Sequence, residues 1–135
     1  MTQENKELLI KDLCARLPYG VEVEYNSIKC EVLSIDKYNE ELTIRVCPGY
    51  SPIVKLENIK PFLFPLSSMT IEQEKELSKL GVSYGEYARH DDIRGLGIMV
   101  DEAYIFFEFC YKHHIDFLGL IEKDLAIDAT GLNIY

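Results

Sequence analysis

Val21-Glu22-Val23-Glu24-Tyr25-Asn26-Ser27-Ile28-Lys29-Cys30-Glu31-Val32 is the stretch that decides the fold. Apolar and polar residues alternate strictly on both sides of Asn26-Ser27. That period of two is the pattern of two half-buried strands joined by a tight turn. Beyond Val32 the phase slips, because Leu33 and Ile35 are the next apolar pair, and a slip of this kind predicts a bulge or strong bend. Residues 36–41 read as a polar turn, and alternation resumes at Leu42-Thr43-Ile44-Arg45-Val46. Pro48-Gly49-Tyr50-Ser51-Pro52 reads as a loop, 53–56 as a short strand, Glu57-Asn58-Ile59 as a 3₁₀ turn and Phe62-Leu63-Phe64 as a last strand. Short strands with one apolar face predict a small, strongly bent antiparallel sheet. Their order resembles an SH3-like barrel. Val23, Ile28, Cys30, Val32, Ile44, Val46 and Phe62 are expected inside it, and Glu22, Glu24, Lys29 and Arg45 outside.

Upstream, either Thr2 or Asn5 is positioned to cap a helix. Ile10, Leu13, Cys14 and Leu17 mark its apolar face, and Pro18 and Gly20 end it. Lys11, Asp12 and Arg16 lie off that stripe. Downstream, Thr70 and Gln73 form the pattern of a capping box, and Gly81 closes the helix that follows. Residues 82–100 read as loop with a short strand near their end. Within them, Arg94-Gly95-Leu96-Gly97 falls short of any phosphate-loop pattern. Asp101 is expected to cap a helix running to about His114. Asp116 is expected to cap one more short helix over 117–123. The fold class is therefore α+β, a small SH3-like antiparallel barrel flanked by an N-terminal helix and a C-terminal helical segment. The expected division is 1–68 for the first helix and barrel, and 69–135 for a helical extension packed on it as one unit.

The helix expected from Asp101 carries Tyr104, Phe106, Phe107, Phe109 and Tyr111 over more than half its circumference. A helix so apolar is buried on more than one side. These five residues are the interface candidates. The cover is expected to come either from the tail of the same chain or from a second copy in a twofold homodimer.

Fourteen basic against 23 acidic residues give a net charge of −9 in 135 residues. The first 68 residues hold 8 basic and 10 acidic side chains and the remainder 6 and 13, so the second half sets the field. Such a surface disfavours nucleic acid and anionic lipid and suits a basic protein partner. No run reaches the eighteen or so apolar residues of a membrane span. The acidic opening, with Glu4, Glu7 and Asp12, is not that of a signal or transit peptide, so a cytoplasmic setting with reduced thiols is expected. Cys14, Cys30, Cys47 and Cys110 form no clustered ligand pattern and each sits in an apolar context, as a small buried hydrophobe would.

Three strings carry a resemblance. They are Leu13-Cys14-Ala15-Arg16-Leu17-Pro18-Tyr19-Gly20-Val21, then Lys60-Pro61-Phe62-Leu63-Phe64-Pro65-Leu66-Ser67-Ser68-Met69, and finally His114-Ile115-Asp116-Phe117-Leu118-Gly119-Leu120-Ile121-Glu122-Lys123-Asp124-Leu125-Ala126-Ile127-Asp128-Ala129. The chain resembles an uncharacterised family of short proteins from gut anaerobic bacteria and their phages. The resemblance implies a phage or mobile-element setting, and it carries over no activity. Asp124 stands where the resemblance implies glycine.

The chemistry candidates are few. Cys110 and His114, four apart on a helix, have the spacing of a nucleophile and its base, but both fall within the apolar arc. His113, His114 and Asp116, with His90, Asp91 and Asp92, are of metal-ligand type. Adjacent helical histidines diverge by about 100°, however, and a helix C-terminus favours positive charge regardless. Tyr25, Tyr38 and Tyr50, with Lys29, Arg45 and Lys55, are of the type that holds single strands or peptides on small barrels. The reading assigns no catalytic, cofactor-binding or metal-binding residue and expects no cofactor. It favours a non-catalytic protein-interaction module. Its alternatives are a small metal-dependent hydrolase using His113, His114 and Asp116, and a nucleic-acid-binding barrel.

Overall fold

The computed structural model describes residues 1–81 and 100–135, with side chains from Ala103 onward in the second stretch. It is α+β, with an N-terminal helix, a mixed sheet and a C-terminal helix. Helix α1 spans Gln3–Arg16, and the Thr2 hydroxyl accepts the Asn5 N–H at 3.1 Å as its cap. A 3₁₀ turn at Leu17–Tyr19 ends it, with Gly20 at φ 85°.

Strands β1 (Glu22–Tyr25), β2 (Ile28–Asp36), β3 (Glu41–Arg45) and β4 (Ile53–Lys55) follow, and a 3₁₀ turn at Leu56–Asn58 leads into β5 (Ile59–Pro65). Asn26 and Ser27 both take positive φ, at 50° and 64°, the conformation that a two-residue turn needs to match strand twist. The register of β2 on β3 shifts between Val32 and Ser34, where the alternation slips. Helix α2 (Ile71–Lys79) starts with both halves of the Thr70–Gln73 capping box formed. Helix α3 spans Val100–Lys112, and two short strands, β6 (Ile115–Asp116) and β7 (Ile127–Asp128), complete the chain.

The sheet order is β4-β3-β2-β1-β5-β6, with β7 also on β5. Pairings among β1 to β5 are antiparallel, and β6 and β7 join β5 in parallel. Two apolar clusters result. One joins α1 to the inner sheet face through Leu9, Leu13, Val23, Ile44, Leu56 and Leu63, and is closed by Leu120 and Leu125. The other holds Met69, Leu77, Phe106, Phe109, Cys110 and Ile115.

Several expectations are corrected. The short helix over 117–123 is absent. Asp116 instead gathers the N–H groups of Leu118, Leu120 and Ile121, and the chain turns back to add β7 to the sheet. The tail is thus partly sheet, because the free edge of β5 offers backbone partners that an isolated short helix would lack. Ile28 is half exposed, lying beside the turn of the first hairpin opposite Tyr25, and Phe62 is buried away from the inner-face cluster. Cys14 and Cys47 are exposed, and only Cys30 and Cys110 are buried. The reading of 82–100 as loop and short strand, and with it Arg94-Gly95-Leu96-Gly97, falls on 82–99, outside the described residues. Among the described residues no helix is long and apolar enough to cross a membrane.

Candidate interaction surface

The site is built where α1, α3 and β6 meet. The buried residues of α1 are Leu9, Ile10, Asp12, Leu13 and Arg16, with Leu9, Asp12, Leu13 and Arg16 at i, i+3, i+4 and i+7. Ile10 and Leu13 of the apolar stripe read in sequence are buried, Leu17 is half-buried and Cys14 is exposed, so the packed face extends to the Leu9, Asp12 and Arg16 side. Asp12 and Arg16 were expected off the packed face, and both are fully buried. The Arg16 guanidinium donates from Nε to Asp12 Oδ2 at 2.7 Å, from Nη2 to the Ile115 carbonyl at 2.8 Å and from Nη1 to the Cys110 carbonyl at 3.3 Å. Its Cζ also lies 5.2 Å from the centroid of the Tyr111 ring. One arginine thereby satisfies carbonyls at the C-terminal end of α3 and in β6, where α-helices leave acceptors without partners. Burial pushes the Asp12 carboxyl above its ordinary pKa, and the Arg16 charge pulls against that shift. Only the spacing Asp12-x-x-x-Arg16 hinted at this pair in the sequence, and the same spacing is ordinary on a solvated face.

Two stripes of α3 divide its aromatic residues. Phe106, Phe109, Cys110 and His113 form the inner one, in which Phe106, Phe109 and Cys110 are buried. Tyr104, Phe107, Glu108 and Tyr111 form the outer one at the same spacing. Phe106 and Phe109 therefore drop out of the five interface candidates, because their rings fill the chain's own second cluster. Tyr104, Phe107 and Tyr111 remain. Phe117 from the tail stacks on Phe107 (4.7 Å between centroids, 12° between planes) and meets Tyr111 edge-on at 5.3 Å. The tail thus covers part of the outer stripe and leaves Tyr104 66% exposed. Tyr19 stands beside it and donates its hydroxyl to Glu108 at 3.1 Å. The result is a rigid aromatic floor with one open tyrosine, edged by a carboxylate.

The chemistry candidates are engaged elsewhere. Cys110 has no exposed surface, and burial pushes its thiol far above the ordinary range, so it stays protonated. His113 Nε2 lies 3.0 Å from Glu76 Oε2, whose carboxylate also accepts from Lys112 at 3.2 Å. His114 takes φ 60°, which turns its side chain off the helix and onto Tyr135, with ring centroids 3.5 Å apart and planes within 8°. Burial and the nearby Arg16 charge lower its pKa to about 4, and its Nδ1 is buried without a partner. The Tyr135 hydroxyl bridges the sheet, donating to the Phe62 carbonyl at 2.9 Å and accepting from the Glu22 N–H at 3.2 Å. Asp116 is spent on the three tail N–H groups. His113, His114 and Asp116 thus face three different partners. Among the described residues no three metal-ligating side chains converge. His90, Asp91 and Asp92 lie outside the described residues.

Compared with known proteins, the chain matches no family model, no curated protein and no solved structure.

Proposed function

We propose that the protein is a non-catalytic protein-interaction module that engages a partner protein through the outer stripe of α3. The observation that carries this reading is Tyr104, open to solvent at the end of a preordered floor of Phe107, Tyr111 and Phe117. Rigid aromatics with one accessible ring are the usual anchors of protein interfaces, because little side-chain entropy is lost on docking. The Glu108 carboxylate at its edge and the net charge of −9 favour a partner with basic groups at its rim. A second copy of the chain is the other cover for the same stripe.

The sheet supports a finer reading as an SH3-like barrel. The order β4-β3-β2-β1-β5, the bulge that bends β2 and the 3₁₀ turn before β5 are the features such a barrel uses. The setting we propose is cytoplasmic and of phage or mobile-element origin, on the three strings quoted above. The test is affinity capture from native cells with the parent protein and with Tyr104→Glu. A defined partner, or the chain itself, retained by the parent and lost with Tyr104→Glu supports the reading. Identical captures by two equally stable proteins overturn it. Metal analysis of the same preparation addresses the hydrolase alternative, which needs a stoichiometric transition metal.

A further inference from the structure

We propose that residues 130–135 are an acid-released latch: a proton taken up by the His114 ring unseats Tyr135 from the edge of β5, and the segment swings away about Gly131. The latch is independent of the α3 surface.

The seat is a gap in the sheet. Pro61 has no N–H, so its pair with Val23 is a non-bonded one, and the next bonded pair along β1 and β5 is Glu22 with Phe62. That bond is not made directly. The Tyr135 hydroxyl stands between the two, accepting from the Glu22 N–H at 3.2 Å and donating to the Phe62 carbonyl at 2.9 Å. Two residues on, the Phe64 N–H leaves the same edge of β5 for the His114 carbonyl at 2.8 Å, where β6 begins. Tyr135 thus fills the interval between β1 and β6. Its ring lies flat on the His114 ring, with centroids 3.5 Å apart, and is tilted against Phe64 at 6.1 Å.

The hold on the segment is concentrated there. The Ala129 N–H makes the last ladder bond, to the Leu63 carbonyl at 2.8 Å. Beyond it, the hydrogen bonds to the body among the described residues are the two at the Tyr135 hydroxyl and one from the Lys29 ammonium to the Ile134 carbonyl at 3.5 Å. Residues Thr130, Gly131, Leu132 and Asn133 are exposed. Gly131 takes φ 77° with open space around it, which suits a hinge.

His114 makes the hold conditional. Its Nδ1 is buried with no hydrogen-bond partner among the described residues. The neutral ring with its proton on Nε2 leaves a bare lone pair there, whereas a second proton would create a donor with no acceptor. The charged groups acting on the ring among the described residues are Arg16 of α1 and His113 of α3, and both oppose its charged form. His113 itself lies against Glu76. Glu22, Asp12 and Arg16 act on Tyr135. Burial raises both carboxyls, so any coupling of theirs to the latch favours the closed form in acid. Lifting Tyr135 bares one face of the imidazole to water. The open form therefore takes the proton more readily than the closed form, whose pKa is about 4, and opening gains as pH falls below the ordinary 6.5. It frees the Glu22 N–H, the Phe62 carbonyl and the Phe64 ring.

Amide exchange on the full chain, read residue by residue from pH 7 to 5 and corrected for intrinsic rates, tests the latch. Protection of the Glu22 N–H is expected to fall by about tenfold between pH 6 and 5, the slope of one proton. Ala129 and Val32, whose N–H groups bond the Leu63 and Val21 carbonyls, should hold theirs. His114→Asn should abolish the fall, and Glu22→Gln should leave it in place. Tyr135→Phe should leave the Glu22 N–H unprotected at every pH. A fall that persists in His114→Asn, disappears in Glu22→Gln or spreads equally to Ala129 and Val32 overturns the proposal. So does Glu22 protection that ignores pH. The imidazole nitrogen shifts of the parent give a readout that needs no variant. His114 should stay neutral, with its proton on Nε2, wherever Glu22 is protected, and a charged His114 beside a fully protected Glu22 N–H overturns the latch.

Discussion

The guanidinium of Arg16 and the carboxylate of Asp12 meet at 2.7 Å with no solvent exposure on either side chain. The pair lies on the α1 face that packs against α3 and β6, and it donates to two of their carbonyls. Removing one partner strands a buried charge. Arg16→Ala should cost about 3–5 kcal/mol, whereas replacing both with Asp12→Leu and Arg16→Met should recover most of that loss. Urea unfolding checks both. A single variant as stable as the parent would remove the pair from the account of the junction.

His114 gives stability a pH dependence. Its folded pKa is about 4 against an ordinary 6.5, because burial and Arg16 oppose its charged form. Between those values the unfolded chain binds a proton that the folded chain refuses, so this contribution is present above 6.5 and is lost as pH falls toward 4. The loss should be on the order of 2 kcal/mol after allowing for partial solvent access. Asp12, raised by burial, works in the opposite sense, so the comparison must be with His114→Asn, which tolerates the positive φ. The variant should flatten the acid limb of the profile, as read by unfolding midpoints from pH 7 to 4.

Asp124 takes φ 59° where the resemblance implied glycine. A side chain with a Cβ and no local hydrogen bonding is strained there, so Asp124→Ala should destabilise by about 1 kcal/mol and Asp124→Gly by less than about 0.5 kcal/mol. The Lys60–Asp124 ion pair at 2.7 Å is well exposed and adds little. Equal losses in the two variants would assign the position to the ion pair instead.

The sheet register separates two isoleucines. Ile44 is fully buried and Ile28 is 49% exposed. Ile44→Ala should cost about 2–4 kcal/mol and Ile28→Ala less than about 1 kcal/mol. An Ile44→Ala protein that melts like the parent would contradict the register.

Local chemistry made the strands legible in the sequence. The Glu22–Tyr25 and Ile28–Asp36 pair, the bulge at Val32 and the Thr70 capping box all follow from neighbours a few residues apart. The burial of Asp12 and Arg16 was not legible, because both lie off the apolar stripe and gain their partners only when α3 and β6 arrive from nearly 100 residues away. The same holds for β6 and β7, two residues each, whose strand character exists only on the edge of β5. The division of α3 was half legible. Its apolar arc could be counted, but which rings turn inward depends on Met69, Leu77 and Ile115. The open Tyr104 emerges only once the rings of Phe106, Phe107, Phe109 and Tyr111 have been assigned their neighbours.

Placing a photo-crosslinking phenylalanine analogue at position 104 and illuminating the native cell tests the interaction reading most directly. A protein adduct of defined mass, absent when the analogue replaces the exposed Lys11 on α1, is the predicted result. Position 104 yielding no adduct beyond that control would contradict it.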